Sequence, residues 1–405
     1  MSGVRSGLDI LVDSNFKQLA GTRVGLICNP SAVDRNLEHA ADLMAASENC
    51  NLVKLFAPEH GIRGALQDME QVKTFEDPKT HLPVISLYGN SLKSLTPTNE
   101  SLDDVDCLVF DIQDIGARYY TYAQTLAFCM LAASRLNKKV VVLDRPNPID
   151  GVTIEGTPLT DTCRSFCGLY PVANRHGLTI GEIANMFQRG VDGLTFSVGT
   201  IPCDLEIIKM EGWKREMNFL DTGLPWVLPS PNMPTLEAAL TYPGTCFFEG
   251  TNISEGRGTT RPFTFFGAPY IDGHDWREQI LQESAELGLA GAALRPISFI
   301  PHLSKWSDKT CGGVELHVND PVAFKPIRWT LAMICAAAKL YPENFGWRQQ
   351  TYEFVKEHPA IDLLYGSNNL RRSVETKKSV QPLLEEMKEF ENHWAKARKE
   401  YLLYS

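Results

Sequence analysis

A glutamate and a histidine stand side by side at the end of an apolar run, in the stretch LFAPEHGIRGALQD that begins at residue 55. A carboxyl group at the end of a strand, partly withdrawn from water, holds its proton more readily and can act as a general acid. Glu59 is therefore a candidate catalytic acid, and His60 is a candidate partner that holds or tunes it. The competing interpretation is a strand-to-helix turn in which Glu59 is solvated and His60 makes ordinary structural hydrogen bonds.

A denser group of polar and aromatic side chains occupies DIQDIGARYYTY, residues 111–122. Aromatic faces beside carboxylates and amides suit a sugar, because a sugar has apolar C–H faces and many hydroxyl groups. Two aspartates at i and i+3 also suit Mg²⁺, although no phosphate-binding loop lies nearby in the sequence. Helix capping by Asp114 and core packing of the tyrosines form the structural alternative. The candidate substrate-binding residues of this stretch are Asp111, Gln113, Asp114, Arg118, Tyr119 and Tyr122.

Two later loops add polar side chains. In LDRPNPIDG, residues 143–151, prolines hold the backbone around Arg145 and Asn147, which either rigidifies a site or simply ends a strand. In FFEGTNISEGRGTTRPF, residues 247–263, three glycines separate charged and amide side chains. This second stretch matches neither the GxGxxG nor the GxxxxGKS/T pattern, so we interpret it as a binding loop for a ligand other than a nucleotide. Its candidate residues are Glu249, Asn252, Glu255, Arg257 and Arg261.

The elements that must position these side chains alternate along the first half of the chain. Runs rich in Val, Ile and Leu are separated by helical patterns, which favours a parallel sheet covered by helices on both faces. Ligands of such sheets bind outside the carboxyl ends of the strands, so we expect the site at that edge. The predicted strands are TRVGLICNP, NLVKLFAP, LPVISLYG, VDCLVFDIQD, KKVVVLDRPNP, LTFSVGTIP and LPWVLPSPN, and the polar residues at strand ends are Asn29, Glu59, Asp111, Asp144 and Ser230.

The helical patterns follow the same alternation. Helices are expected over residues 36–47 and 119–136, and a third begins at Thr179, which stands in capping-box spacing with Glu182. A proline-rich stretch, residues 225–234, marks the expected seam between two domains. Beyond it, helical patterns, the glycine-rich loop and the strand-like GGVELHV predict a smaller α+β domain from residue 232 onward.

Composition limits the class of protein. The formal charge is −10 and no dense Lys/Arg stripe occurs, which argues against a nucleic-acid partner. The first residues do not resemble a signal peptide, and no apolar stretch approaches the roughly 20 residues that span a bilayer. Ten cysteines are scattered, with the closest pair in CxxxC spacing, which is typical of reduced thiols rather than disulfides or a zinc site. We expect a cytoplasmic enzyme without a metal or other cofactor, and the oligomeric state stays open.

Seven motifs together resemble one family, the exo-β-N-acetylmuramidases (NamZ-like), which act on peptidoglycan fragments. In order along the chain they are PEHGIRG, DIQDIGARYYTY, DRPNP, HGLTIGE, PSPNMP, YPGTCFFEGTNISEGRGTTRPF and CGGVELHV. The resemblance implies a Rossmann-like N-terminal domain, residues 1–231, and a smaller C-terminal domain, residues 232–405, with the active site in the cleft between them. It also implies that Glu59 is the catalytic glutamate. Asn232, within PSPNMP, is a further candidate substrate-binding residue. Many relatives carry export signals, and this chain shows none.

The resemblance implies an exo-acting glycoside hydrolase that releases terminal β-linked N-acetylmuramic acid (MurNAc). Such hydrolysis usually needs a second carboxyl group, and Asp111, Asp114, Glu249 and Glu255 are the candidates. An N-acetyl group of the substrate can also replace that carboxyl. Two rival functions stay open: a metal-dependent hydrolase that uses Asp111, Asp114 and His60, and a protein that binds muropeptide sugars without turnover.

MurNAc differs from N-acetylglucosamine (GlcNAc) by a lactyl ether whose carboxylate is negative at neutral pH. Because the chain itself is acidic, selectivity for that carboxylate needs a fixed local cation. Arginine suits this task, since its planar guanidinium meets a carboxylate with two parallel hydrogen bonds. The candidates are Arg63, Arg118, Arg257 and Arg261, of which we favour Arg257 or Arg261.

Overall fold

A computed structural model describes residues 3–64, 75–89 and 91–405 of the chain. The strands of its larger sheet are β1 (Arg23–Cys28), β2 (Asn51–Ala57), β3 (Phe75–Glu76), β4 (Pro83–Ser86), β5 (Cys107–Asp111), β6 (Lys139–Leu143) and β7 (Asp204–Ile208). Within the described residues these seven strands lie in the order β3-β4-β2-β1-β5-β6-β7. Every neighbouring pair is parallel except β3 with β4. The predicted, mostly parallel sheet is confirmed.

The centre of this sheet explains its continuous apolar sequence. β1 lies between β2 and β5, with Ile27 opposite Phe56 on one side and Phe110 on the other. All three side chains are fully buried. Burial of one such side chain stabilises the fold by about 1.5–3 kcal/mol. A polar residue within these runs opposes folding unless it is paired, as Lys54 of β2 is with Asp104 at 2.6 Å.

Helices cover both faces of the sheet. Those of the first part of the chain are α1 (Gly7–Asp13), α2 (Ala40–Ala46), α3 (Asn99–Leu102), α4 (Tyr122–Arg135), α5 (Ile180–Arg189) and α6 (Phe219–Thr222). Val140 and Val142 of β6 pack in one apolar cluster with α4 and α5. Val141 and Leu143 pack in a second cluster with α1 and α2. Successive side chains of a strand point to opposite faces, so each face of β6 buries its own set of helices.

The starts of two helices follow from their capping residues. The Thr179 hydroxyl accepts from the Glu182 N–H at 3.2 Å, and the Glu182 carboxylate accepts from the Thr179 N–H at 3.0 Å. This confirms the predicted capping box of α5. The helix expected over residues 36–47 begins later, at Ala40, because the His39 ring nitrogen caps it by accepting from the Ala41 N–H at 3.2 Å.

A smaller antiparallel sheet follows. Its strands are β8 (Phe265–Ala268), β9 (Ala292–Phe299) and β10 (Cys311–Val318), in the order β8-β10-β9. The accompanying helices are α7 (Leu236–Thr245), α8 (Gly273–Glu286), α9 (Pro326–Leu340), α10 (Ala360–Tyr365), α11 (Asn369–Glu375) and α12 (Gln381–Ala397). At Gly313 of β10, an added side chain would collide with the carbonyl oxygen of Phe266. The strand predicted from GGVELHV is confirmed, and its glycines allow this close pairing.

Two of the predicted strands are wrong. LTFSVGTIP makes only an isolated bridge between Val191 and Val198, and LPWVLPSPN contains no strand. Prolines at three positions of the second stretch lack the N–H that a strand ladder requires. The edge strand is instead β7. Its acidic residues Asp204 and Glu206 make its sequence resemble that of a loop.

The last helix returns to the first part of the chain. The indole N–H of Trp394, in α12, donates to the carbonyl oxygen of His176 at 2.9 Å. Just beyond α12, Arg398 donates to the carbonyl oxygens of Gly151 and Gly177, each at 3.0 Å. The end of the described chain therefore packs beside α5 rather than on the smaller sheet. No helix among the residues described here combines the length and apolar character needed to cross a membrane.

Candidate active site

A cleft opens where the segments that follow β2 and β5 meet the loop after α7. Residues 247–263 of that loop are called the binding loop below. The cleft is lined by Glu59, His60, Tyr119, Tyr120, Thr121, Tyr122, Cys167, Ser230, Met233, Tyr242, Glu249, Glu255, Arg257, Phe263, Ser304, Arg348, Tyr352 and Glu353.

Glu59 stands at the lip of the cleft, just after β2. Its side chain is half-buried, and the Thr121 hydroxyl donates to Glu59 Oε2 at 3.3 Å. His60 is buried and has a φ of +70°. A non-glycine residue in this left-handed conformation costs roughly 1–3 kcal/mol, and such strain persists only where the surrounding structure holds it. The turn therefore fixes the direction in which Glu59 faces.

An aromatic wall lies beside Glu59. Tyr120 meets Tyr122 and Tyr242 edge to face, with ring centroids 5.2 and 5.7 Å apart. Tyr242 in turn packs against Phe263 of the binding loop at 4.7 Å. The Tyr120 hydroxyl is buried, and the described part of the chain offers it no hydrogen-bond partner. An unsatisfied buried hydroxyl costs about 1–3 kcal/mol, so a ligand hydroxyl or amide that reached it would be stabilised.

The binding loop supplies a charged wall. Arg257 pairs with Glu249 at 2.8 Å and with Glu255 at 3.4 Å, and Lys305 pairs with Glu255 at 2.7 Å. Burial acts to raise the pKa of Glu249. The charge of Arg257 and hydrogen bonds from Arg257 and Tyr352 outweigh burial, so the pKa of Glu249 lies below its ordinary value. Glu249 is thus held in its ionised form at the cleft surface.

Asp111 and Arg145 pair with each other instead of facing the cleft. Two hydrogen bonds join the guanidinium of Arg145 to the Asp111 carboxylate, at 2.5 and 2.8 Å, and both side chains are buried. Arg145 also borders a smaller hollow beside Trp226. Removing one member of such a buried pair typically costs about 3–5 kcal/mol. The pair holds the carboxyl ends of β5 and β6 together.

Gln113, Asp114 and Asn147 likewise hold loops in place. Gln113 donates to the carbonyl oxygens of Asp114 and Pro146 at 2.6 and 2.7 Å, and Asn147 donates to a carbonyl before α5 at 3.0 Å. Burial raises the pKa of Asp114 to about 7, and a His176 ring nitrogen lies 3.8 Å from its carboxyl. None of the three lines the cleft that holds Glu59.

The metal-dependent alternative requires Asp111, Asp114 and His60 to share one ion. Asp111 is committed to Arg145, and Asp114 is buried away from the cleft. Across residues 3–64, 75–89 and 91–405, no three His, Cys, Asp or Glu side chains are grouped so that they could hold a metal. The structure does not bring this predicted ligand set together.

Of the four arginines expected at the cleft, Arg257 lines it. Arg63 forms ion pairs with two aspartates at 2.9 and 3.0 Å, and Arg261 pairs with two glutamates at 2.7 and 3.3 Å. Arg118 is buried and donates to four backbone carbonyl oxygens. The structure therefore places Arg63, Arg118 and Arg261 outside the cleft wall.

The two asparagines differ in position. Asn252 lies at the base of the binding loop, where its Oδ1 accepts from the Tyr270 hydroxyl at 2.7 Å. Asn252 does not line the cleft. Asn232 is buried between Ser230 and Met233, and both of these neighbours line the cleft.

Several lining residues carried no recognised signal in the sequence. Arg348, Tyr352 and Glu353 belong to residues 346–355, called the bridging segment below. One end of this segment pairs with the binding loop, because the Arg348 N–H donates to the carbonyl oxygen of Gly250 at 2.9 Å. The only cue in its sequence, GWRQQTYEFV, is a density of aromatic residues. Tyr120, Thr121 and Tyr242 lie within the motifs described above but were not among the candidate site residues, and Ser304 was missed.

The other end of the bridging segment is a tight turn. The backbones of Tyr352 and Val355 exchange hydrogen bonds at 3.1 and 2.9 Å. The two central residues have positive φ, +41° at Glu353 and +69° at Phe354. The Phe354 ring meets Phe166, in the first part of the chain, at 6.2 Å. The segment thus connects the binding loop to the side of the cleft that carries Glu59.

Comparisons with known proteins agree over the whole chain. Residues 24–237 match the family model described as exo-beta-N-acetylmuramidase NamZ, N-terminal, and residues 240–404 match its C-terminal counterpart. The chain is 43% identical over 401 residues to the peptidoglycan beta-N-acetylmuramidase NamZ of Bacillus subtilis (strain 168), covering 99% of this chain and 91% of the relative.

Two solved structures resemble this chain over its full length. The crystal structure of a DUF1343 family protein from Bacteroides fragilis superposes with a TM-score of 0.85 at 33% identity, covering 100% of both chains. A second DUF1343 protein from the same organism gives a TM-score of 0.74 at 28% identity, covering 100% of this chain and 99% of the other.

Proposed function

The chain belongs to the exo-β-N-acetylmuramidase NamZ family, and on that premise we propose that its cleft releases terminal β-linked MurNAc from peptidoglycan fragments. The protein is thus a glycoside hydrolase. The observation that supports this function best is Glu59, a half-buried carboxyl at the lip of a cleft whose adjoining wall is aromatic. Aromatic faces pack against the apolar faces of sugar rings, and a carboxyl beside such a wall can give its proton to a glycosidic oxygen.

Glu59 is the proposed general acid. It gives its proton to the glycosidic oxygen as the bond to the anomeric carbon breaks, so the leaving sugar departs as a neutral alcohol. Over the whole reaction one water molecule supplies the hydroxyl group that bonds to the anomeric carbon and the proton that returns to Glu59. The Thr121 hydroxyl, 3.3 Å from Glu59 Oε2, orients the carboxyl. His60 supports the turn that presents Glu59.

Glu249 is the proposed second carboxyl. Of the four candidates from the sequence, only Glu249 and Glu255 line the cleft. Both form ion pairs, but the Glu249 side chain is the more exposed of the two, at 10% against 2%. The lowered pKa of Glu249 keeps it negative, which stabilises the positive charge that develops on the sugar ring. The Tyr120 hydroxyl, buried in the wall, is placed to receive a hydroxyl or amide of the substrate.

The proposed domains are residues 1–231, which carry Glu59, and residues 232–405, which carry the binding loop and close the cleft. The family models support this division, since one ends at residue 237 and the other begins at residue 240. The cytoplasm is the proposed location. All ten cysteines are free thiols, which fits a reducing compartment. Cell fractionation with an antibody against the protein tests the location.

The decisive experiment for the function is incubation with a disaccharide that carries MurNAc at its non-reducing end, followed by mass spectrometry. Release of free MurNAc is the expected result. An intact disaccharide, bound or unbound, would contradict hydrolysis and favour a sugar-binding protein. The same reaction followed by NMR shows whether the product first appears as the α or the β anomer, which separates retention from inversion.

A further inference from the structure

The cleft wall contains an excess of negative charge. Four glutamates line it, and two arginines line it, Arg257 and Arg348. A sugar that carries a carboxylate is therefore repelled by most of the charged groups around it. Recognition of such a sugar requires a cation whose charge is not already balanced by the protein's own carboxylates.

Arg257 does not meet this requirement. It pairs with Glu249 at 2.8 Å and with Glu255 at 3.4 Å, so its charge is balanced within the wall. The nearby cation Lys305 is balanced in the same way, by Glu255 at 2.7 Å.

The charge of Arg348 is not balanced in this way. Its guanidinium carbon lies 5.2 Å from the ring centroid of Tyr352, and within the described residues no carboxylate lies within ion-pair distance of it. The side chain is half-buried at the cleft surface, so water is only partly displaced from it. Stacking on an aromatic face leaves the edge of a guanidinium, with its N–H groups, free to meet a planar anion.

The position of Arg348 is also rigid. Its own N–H is bonded to the carbonyl oxygen of Gly250, and Tyr352 is held by a 2.7 Å hydrogen bond to Glu249. Both the backbone and the ring that support the guanidinium are therefore anchored to the binding loop. A pre-placed cation loses little conformational entropy when it binds an anion, which favours selectivity.

We propose that Arg348 reads the lactyl carboxylate of the terminal MurNAc and thereby distinguishes MurNAc from GlcNAc. This inference rests on the proposed function, because it takes the terminal sugar to occupy the cleft of Glu59. It assigns selectivity to a residue that the sequence did not suggest, in place of Arg257 or Arg261. Arg348 is a binding residue in this scheme and takes no part in bond cleavage.

The test compares 4-nitrophenyl β-MurNAc with the same glycoside in which the lactyl carboxylate is a methyl ester. For Arg348→Ala, kcat/KM on the acid should fall about ten- to one-hundred-fold, mainly through KM, while kcat/KM on the ester changes less than about threefold. For Arg348→Lys, kcat/KM on the acid should lie between the values for Arg348→Ala and the wild type. Lysine keeps the positive charge but lacks the planar guanidinium that forms two parallel hydrogen bonds. The proposal would be overturned if Arg348→Ala kept the wild-type preference for the acid over the ester. It would also be overturned if kcat/KM fell equally on both glycosides.

Arg164→Ala is the matched control. Arg164 is also an arginine stacked on an aromatic ring, 5.5 Å from Phe196, but it is exposed and lies outside the cleft. Its substitution should leave both rates unchanged. Thermal unfolding of each variant separates loss of recognition from loss of fold.

A measurement of sugar binding at equilibrium tests the role of Arg348 even if the protein has no hydrolase activity. If the wild type cleaves neither glycoside, exo-muramidase activity fails, and calorimetry with free MurNAc and free GlcNAc then decides the role of Arg348. Tighter binding of MurNAc by the wild type, lost in Arg348→Ala, would support the proposal. Equal binding of both sugars by the wild type, or no binding of either, would overturn it.

Discussion

Tyr352 donates a hydrogen bond from its hydroxyl group to Glu249 Oε2 at 2.7 Å. The bond joins the bridging segment to the binding loop across the wall of the cleft. It is also one of the interactions that outweigh burial and hold the pKa of Glu249 below its ordinary value. A residue without an obvious signal in the sequence thus helps Arg257 to keep a proposed catalytic group ionised.

Tyr352→Phe should shift the pH profile of kcat/KM. Loss of the hydroxyl removes one cause of the lowered pKa of Glu249, so that pKa rises and the ionised form appears only at higher pH. The acid limb of the profile should therefore move to higher pH, while the rate near pH 8 stays within about threefold of wild type. Tyr341→Phe, which removes a hydroxyl bonded to Asp272 outside the cleft, is the control. Superimposable profiles for Tyr352→Phe and wild type would contradict the role of Glu249.

Glu59→Gln should abolish most of the activity and leave the fold intact. Glutamine is nearly isosteric with glutamate but has no proton to give to the leaving oxygen, and loss of a general acid typically costs about 10² to 10⁴ in rate. The measurement is the rate of MurNAc release, with circular dichroism to confirm folding. Glu286→Gln, at an exposed position of α8, is the matched control. A Glu59→Gln variant that kept more than half of the wild-type rate would reject Glu59 as the acid.

Asp114 should make the stability of the protein depend on pH. Burial raises its pKa from 3.8 to about 7, despite hydrogen bonds from the N–H groups of Gly116 and Ile115. The folded state therefore keeps a proton that the unfolded state releases. The stabilisation is fully present below pH 3.8 and is lost as the pH rises through about 7, at roughly 1.4 kcal/mol per pH unit.

Asp114→Asn tests this dependence, because asparagine resembles the protonated acid at every pH. The free energy of unfolding of the variant, minus that of the wild type, should increase between pH 5 and pH 8 in urea titrations. Burial lowers the pKa of the neighbouring His176 to about 3, so this histidine stays neutral over that range. A constant difference between the two proteins across the range would refute the prediction.

Activity should survive removal of divalent metals. A pair of carboxyl groups can hydrolyse a glycoside unaided, and the described residues contain no group of side chains suited to a metal ion. The check is the rate of MurNAc release before and after dialysis against EDTA. Complete loss, reversed by Mg²⁺ or Zn²⁺, would revive the metal-dependent alternative.

The fold could be predicted from the sequence where buried strands appear as apolar runs and helices begin at recognisable capping residues. The central strands β1 and β5 are continuous apolar runs, and Thr179 with Glu182 marked the start of α5. The edge strand β7 was missed because its burial is only partial and two of its five residues are acidic, so its sequence resembles a loop. Tertiary pairing, rather than local preference, makes it a strand.

The site was harder to predict because a residue at a strand end can point either way. Glu59, just after β2, faces the cleft, whereas Asp111, at the end of β5, forms a buried ion pair with Arg145. Arg348 and Tyr352 could not be foreseen, since they reach the cleft only through pairing with the binding loop. Their sequence has neither a strand nor a helical period.

The packing of α12 beside α5 bears on how the protein is made. During synthesis on the ribosome, Glu59 emerges early, the binding loop and the bridging segment emerge much later, and α12 later still. Until α12 arrives, the carbonyl oxygens that accept from Trp394 and Arg398 must be satisfied by water, and the apolar surface beneath the helix stays exposed. N-terminal regions generally fold first, but here the hydrolytic cleft is completed only by the distal half of the chain. The residues that complete the cleft are therefore absent from a nascent chain until its distal half has been synthesised.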